Sequence, residues 1–282
     1  MATRKSVLEI IQSTTGYFQK YEVESPRLNA EYLLAHVLKL KRIDLYMDFE
    51  RSLFEDELAP LRDLVKRRSQ GIPLQHLLGT DEFYGRTFKC DSRALVPRTE
   101  TERLIELLLP LLKDKAAHIV DIGTGSGIIA LTLAAELPDA EVVAIDNSDM
   151  ALALAEENAG LLELTARVIF QASNLLSDIP GPFQMIVANL PYIPAHELPG
   201  LSREVQHDPV SALDGGADGL DWIRKLIEQA PGKLTTGGQI ALEVGHDQAG
   251  RVATLLETAN FRDIRIEKDY QDVPRFIIAT HG

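Results

Sequence analysis

The sequence predicts an α/β protein in which a seven-stranded, mostly parallel sheet follows a small helical bundle and a β-hairpin linker. Three observations carry that prediction. From about residue 116 onward, short apolar runs alternate with helical patterns, the signature of βαβ units on a parallel sheet. Residues 1 to about 70 carry helical periodicity and no convincing strand. The last two strand patterns, 263–267 and 275–279, lie close together, as an antiparallel pair finishing the sheet would.

In the N-terminal bundle, Val7, Leu8, Ile10 and Ile11 begin a first helical stripe. Ser25-Pro26 gives an N-cap followed by proline at the first helical position, and Leu28, Tyr32, Leu33, Ala35, His36 and Val37 form the apolar face of a second helix. His36 reads as a half-buried helix residue rather than a ligand. A short piece follows near Ile43–Met47. A last helix starts after Phe54 and ends at Gly71, with Leu58, Leu61, Leu64 and Val65 inward. Lys66, Arg67 and Arg68 stand at its C-terminal end, where cations suit the helix dipole. Aromatic and β-branched residues around Phe83-Tyr84-Gly85-Arg86-Thr87-Phe88 then suggest a hairpin. The domains expected are a helical domain over 1–72, a hairpin linker over 73–97 and an α/β domain over 98–282.

The larger domain opens with a helix in which Thr99 is the expected cap, with Glu102 three residues later. Strands follow at His118–Asp121, Glu141–Asp146, Arg167–Gln171, Phe183–Asn189 and Gln239–Val244, before the final pair. Between them lie helices at Ile128–Leu137, Met150–Leu162, Leu220–Ala230 and Gln248–Ala259.

Composition limits the functions available. The 282 residues are 45% hydrophobic and 25% charged, ordinary for a globular protein. No run of about 18 uncharged apolar residues exists to span a membrane. The N-terminal residues lead straight into an amphipathic pattern rather than an apolar leader. One cysteine, Cys90, rules out an internal disulfide and thiolate metal clusters; no metal is expected and a cytoplasmic setting is. The net charge of −13 suits a neutral or basic protein partner better than a phosphate backbone, so direct nucleic-acid binding is not expected. Lys66-Arg67-Arg68 is one local basic patch.

Chemistry concentrates at two strand ends. The run Asp121-Ile-Gly123-Thr124-Gly125-Ser126-Gly127 places glycines at alternate positions after the first strand, letting the backbone turn tightly and approach a ligand. It matches neither the dinucleotide spacing nor the phosphate loop, and it has no lysine. Asp146 ends the next strand, nineteen residues after Gly127, near the spacing at which an acid binds a ribose hydroxyl pair. A tight turn with a solvated strand end is the plainer reading of each. Together they describe a nucleoside pocket without a phosphate grip, and S-adenosyl-L-methionine is such a nucleoside. The second strand end is Met185-Ile-Val-Ala-Asn189-Leu190-Pro191-Tyr192-Ile193-Pro194, an apolar run that stops at an amide. Asn189 is either a turn residue or a ligand contact at the end of the sheet where ligands bind.

These stretches resemble class I S-adenosylmethionine-dependent methyltransferases that act on amide or amine nitrogen. More narrowly, the chain resembles the HemK/PrmC family, which methylates the glutamine amide of class I peptide-chain release factors. Further stretches carry the likeness through most of the chain: Pro73-Leu-Gln75-His76, Val96-Pro97-Arg98-Thr99-Glu100-Thr101-Glu102, Asp208-Pro209-Val210-Ser211-Ala212-Leu213-Asp214-Gly215-Gly216, and Leu242-Glu243-Val244-Gly245. The resemblance implies a Rossmann-like class I methyltransferase domain. It places the cofactor on Asp121, Gly123, Thr124, Gly125, Ser126, Gly127, Asp146, Asn174 and Asn189. It assigns catalysis to Asn189, Leu190, Pro191 and Tyr192. Leu190 stands where the family has the first proline of Asn-Pro-Pro-Tyr, Thr99 stands for the second proline of Pro-Arg-Pro-Glu, and Ser173 beside Asn174 stands where an Asp is usual.

The implied chemistry needs orientation more than a base. An amide nitrogen is a poor nucleophile, so it must be aimed at the methyl donor. The side-chain oxygen of Asn189 and the carbonyl of Leu190 would each accept one N–H of the target amide, while Tyr192 packs on it and Pro191 holds the loop. His196 and His207 read as loop residues. The long loop 194–219 is either a substrate-side lid over 208–219 or a surface excursion. By resemblance, Arg98–Glu102 closes over the methionine end of the cofactor. Two rival functions share these residues: an adenine amino methyltransferase on DNA or RNA, and a cofactor-binding regulator without catalysis.

Overall fold

The computed structural model describes residues 5–113 and 116–282. Residues 1–4, which the sequence reading used to argue against an apolar leader, lie outside them. Among the described residues no helix is long and apolar enough to cross a membrane. The chain divides into two compact units. One runs to Gly79 and includes Ser202–His207; the other holds Thr80–Leu201 and Asp208–Gly282.

The first unit is helical, with α1 (Val7–Lys20), α2 (Pro26–Leu38), α3 (Glu55–Ser69) and a short α4 (Leu74–Leu78). Two-residue strands β1 (Lys5–Ser6) and β2 (Ser52–Leu53) pair antiparallel, too short to show any period in the sequence. Helix α1 begins on a capping box: Ser6 Oγ accepts from the Glu9 amide and the Glu9 carboxylate accepts from the Ser6 amide at 2.8 Å. Ser25 precedes α2 as expected but does not cap it with its side chain. The following proline disfavours a helical conformation there, and Ser25 takes the left-handed region instead.

The inward face of α2 also differs from the predicted stripe. Leu33 and Ala35 are buried with Ala30 and Leu34, whereas Leu28, Tyr32 and His36 are exposed. Glu31 is buried in their place, because Arg27, Arg42 and the Tyr46 hydroxyl all hydrogen-bond its carboxylate. Arg68 of the basic patch is buried as well: its Nε donates to Asn29 at 2.7 Å and it pairs with Glu204, tying 202–207 to this unit.

In the second unit, β3 (Thr80–Phe83) and β4 (Arg86–Lys89) form the expected hairpin, turned by Tyr84 and Gly85, both at positive φ. Phe83 and Phe88 are buried and meet edge to face at 6.1 Å. They pack with Leu104, Ile105 and Leu108 of α5 (Thr99–Leu112). Thr99 is the first residue of α5 rather than its cap, and Arg98 precedes it. The Glu102 carboxylate is instead taken by the Tyr84 amide at 2.7 Å.

The described residues of this unit form a seven-stranded sheet of β5 (His118–Ile122), β6 (Glu141–Asp146), β7 (Val168–Ala172), β8 (Phe183–Asn189), β9 (Leu234–Glu243), β10 (Phe261–Lys268) and β11 (Pro274–His281). Its order is β10-β11-β9-β8-β5-β6-β7, with β9, β8, β5, β6 and β7 parallel and β11 antiparallel to both its neighbours. Helices α6 (Ile128–Glu136), α7 (Asp149–Leu161), α8 (Asp221–Gln229) and α9 (Ala249–Thr258) connect the strands. One apolar cluster lies around Ile122, Ile145 and Ile186, and a second around Ile119, Ala144 and Val187. Alternate residues of one strand feed opposite clusters, as two covered faces require. Strand β9 starts five residues before the predicted one, because a register shift between its pairings to Phe183 and Met185 loops out the polar residues before Gln239. The loops after β5 and β8 leave adjacent strands in opposite directions, and a ligand crevice belongs there.

Candidate active site

At the C-terminal ends of β5, β6 and β8 lies an open cleft spanning about 1000 Å³, solvent at its mouth included. The turn after β5 shapes its floor. The amides of Gly123 and Thr124 both donate to the Ile145 carbonyl at 2.8 Å, and Gly123, Gly125 and Gly127 all have positive φ. Asp121 does not line the cleft. It is fully buried behind it, accepting from the Thr124 hydroxyl at 2.6 Å and the Ala130 amide at 3.1 Å. Burial pushes its carboxyl up to about 7, against the pull of those two donors. Gly127 is also behind the wall. A Cβ there would meet Leu131 at 2.9 Å and Ala155 at 3.1 Å, so its role is close packing of α6 on α7.

Gly123, Thr124, Gly125 and Ser126 line the cleft, as do Asp146 and Asn174. Asp146 accepts from the Gly125 amide at 2.9 Å through Oδ2 and from the Ser148 amide at 2.9 Å through Oδ1. Burial raises its carboxyl, partly offset by these backbone donors. Ser173 donates its amide to the Asp146 carbonyl, and its buried hydroxyl has no hydrogen-bond partner. Such an orphan facing a cleft asks for a polar ligand group. Both arginines lining the cleft are already paired, Arg93 with Asp91 and Glu157, and Arg98 with Asp208 at 2.8 Å. A phosphate would find no uncommitted guanidinium there. The set fits a phosphate-free nucleoside: glycine backbone for close approach, a carboxylate for vicinal hydroxyls, and the unpaired Ser173 hydroxyl.

Asn189 ends β8 and lines the cleft with Leu190 and Pro191. Its Nδ2 approaches Thr101 Oγ1 at 3.4 Å, and Thr101 in turn donates to Glu243 Oε2 at 2.8 Å. Burial pushes the Glu243 carboxyl up to about 7, with hydrogen bonds from Thr101 and Asn189 and the charge of Arg275 pulling down and Glu100 pushing up. Leu190 is buried, its side chain 3.0 Å from where a Cβ on Gly123 would sit. Tyr192 is not among the residues lining the cleft. Its carbonyl accepts from Gln248 Nε2 at 2.8 Å, and burial followed by the charge of Glu243 raises its phenol.

The segment from Asp208 onward is a wall of this cleft. Asp208 is buried, accepting from the Val96 amide and Arg98, and Pro209, Ser211 and Ala212 face the space. Ile193 and Asp214 form a bridge, and the Gly215 amide donates to the Ile193 carbonyl at 2.9 Å. At Gly219 a Cβ would strike the Tyr192 carbonyl at 2.3 Å, so only glycine lets these two stretches meet. His196 is an exposed loop residue, whereas His207, also exposed, ends the single 3-10 turn Val205–His207 rather than lying in open loop. In the sequence, Thr101 and Glu243 stand only within stretches of family likeness, Thr101 in the Arg98–Glu102 segment expected over the methionine end of the cofactor, and neither is linked to Asn189; Gln248 is only the start of a helix. Glu243 carried the same signal as Asn189, a polar side chain closing an apolar strand; nothing in the sequence joins Thr101 or Gln248 to the Asn189 loop.

Two family models match the chain: the PrmC N-terminal domain over residues 9–79 and the methyltransferase small domain over residues 99–207. Among curated relatives, the release factor glutamine methyltransferase of Geobacter sulfurreducens is 39% identical, over 96% of this chain and 95% of its own length. The protein of the same name from Moorella thermoacetica is 42% identical, over 91% and 92%. Among solved structures, a methyltransferase from Pyrococcus furiosus aligns with TM-score 0.55 at 17% identity, covering 81% of this chain and 100% of that one. The hMettl16 catalytic domain aligns with TM-score 0.57 at 14% identity, covering 82% and 83%. At those identities the two structures speak to fold alone.

Proposed function

The chain belongs to the release factor glutamine methyltransferase family, and from that premise we propose that it methylates a glutamine side-chain amide of a release factor. The donor is S-adenosyl-L-methionine. The acceptor is the amide nitrogen of the glutamine in the GGQ motif of class I peptide-chain release factors. The observation that carries this reading is the Asn189 amide, held at the end of a buried strand on the edge of a cleft suited to a phosphate-free nucleoside.

When bound, the donor supplies an electrophilic methyl group on a sulfonium sulfur. Asp146 is suited to the ribose hydroxyls, the Gly123–Ser126 turn to close approach of the nucleoside, and Ser173 and Asn174 to its base. Asn189 Oδ1 and the Leu190 carbonyl accept the two N–H groups of the target amide. Those two acceptors fix the nitrogen in place and offset the positive charge that grows on it during transfer. Pro191 stiffens the loop, and Gln248 pins the Tyr192 carbonyl so that the loop keeps its path. No side chain is needed as a base before transfer, since the extra proton can leave to water afterwards.

The test offers labelled S-adenosylmethionine to release factor, DNA and RNA in parallel. Label on the factor alone is expected. Label on nucleic acid and none on the factor would replace this reading with an adenine amino methyltransferase, which the −13 charge disfavours. No label anywhere would favour a non-catalytic cofactor-binding protein.

A further inference from the structure

An asparagine amide helps this reaction in one of its two orientations. With oxygen toward the substrate it accepts an N–H; turned over, it points its own N–H groups at those of the target. We propose that Thr101 and Glu243 are positioning residues that hold the Asn189 amide with its nitrogen inward and its oxygen toward the substrate. The inference rests on the methyl-transfer reading above.

Proton supply decides which way the amide points. Thr101 lies in the first turn of α5, fully buried, and Glu243 ends β9, opposite Asn189 in the parallel register of β8 with β9. Thr101 has a single hydroxyl proton, and the structure spends it on Glu243 Oε2 at 2.8 Å. Its oxygen is then left to accept. With Glu243 ionised, the neighbours on the inner side of Asn189 are therefore a hydroxyl oxygen that accepts and a carboxylate oxygen that accepts. Only the amide's NH₂ complements them, and Nδ2 is the atom that faces Thr101, at 3.4 Å. The flipped amide would set Oδ1 against acceptors in a place too buried for water to mediate. Arg275, held by Asp269 at 2.7 Å, lends Glu243 a positive neighbour.

The test uses the full chain with Thr101→Val, which keeps the shape and removes the hydroxyl, and Thr101→Ser, which restores it. Three quantities are read: kcat and KM for methylation of a release factor, S-adenosylmethionine affinity by calorimetric titration, and the melting temperature. Thr101→Val is expected to lower kcat by about tenfold or more, with KM and cofactor affinity within about twofold of wild type. Thr101→Ser is expected to recover most of that loss. Wild-type kcat in Thr101→Val, or a Ser variant as slow as the Val variant, would overturn the proposal. So would a loss that falls equally on cofactor affinity, because a general structural defect acts that way. A wild-type chain that leaves the factor unlabelled defeats the functional reading and this one with it. A labelled factor with unimpaired Thr101→Val defeats this one alone.

Discussion

At Leu190 the main chain and the side chain answer to different neighbours. The backbone stands at the cleft between Asn189 and Pro191, while the side chain is 5% exposed and packs with the core around Ile122, Ile145 and Leu175. Under the proposed function, chemistry there runs through the carbonyl, so that a departure from the family's proline is tolerable. The packing was not foreseen, since a loop position shows no period. Leu190→Ala is accordingly expected to cost about 2–3 kcal/mol in urea unfolding while keeping measurable transfer. Complete loss of transfer at unchanged stability would mean that the side chain itself serves the reaction. Asn189 was legible because an amide ending an apolar run breaks a pattern. Its supports were not: Thr101 lies 88 positions away from it, and Thr101 and Glu243 lie 142 apart. Only the fold relates such positions.

Among the elements, strands and helices of the sheet unit were largely legible, because buried parallel strands and their helices differ in length and period. Strand β6 and strand β8 match their predicted limits. Misreadings arose where a polar group from elsewhere replaced a local signal. In α2 the three partners of Glu31 make a carboxylate buriable and rotate the apparent face. At the start of α5 the hairpin takes the carboxylate that a local cap would have used. The turn after β5 combines both kinds of information: the glycines mark it in sequence, but their division of labour does not show there. Gly127→Ala tests that division. Positive φ and the approach of Leu131 and Ala155 both oppose a methyl group, so a loss of about 2 kcal/mol or more is expected in chemical denaturation. Unchanged stability with weakened cofactor binding would instead put Gly127 in the cleft.

For the molecule as a whole, buried carboxyls set the response to pH. Asp121 and Glu243 are both raised to about 7 by burial, and Asp146 is raised too. A carboxyl raised on folding lends stability that is fully present below its unfolded value near 4 and is lost as pH rises through about 7. Melting temperature is therefore expected to fall from pH 5 to pH 8, and Asp121→Asn to flatten that fall. An identical slope in the variant would show that Asp121 does not titrate in this window. The exposed pairs around Glu157 and Asp218 pull the other way at lower pH, where screening by water leaves them little weight. Charge at this scale also narrows the partner. A net charge of −13 repels a phosphate backbone and attracts a basic surface, which suits the proposed protein substrate better than nucleic acid.

The central claim is that Asn189 presents a release factor's glutamine amide to the methyl donor. The direct measurement is peptide mass spectrometry of a class I release factor after incubation with S-adenosylmethionine and either the wild-type chain or Asn189→Ala. Wild type should add one methyl group to the glutamine of the GGQ motif. Asn189→Ala should add none, while calorimetric titration finds its cofactor affinity within a few-fold of wild type. Methylation at another residue, or an Asn189→Ala chain that still modifies that glutamine at the wild-type rate, would contradict the account.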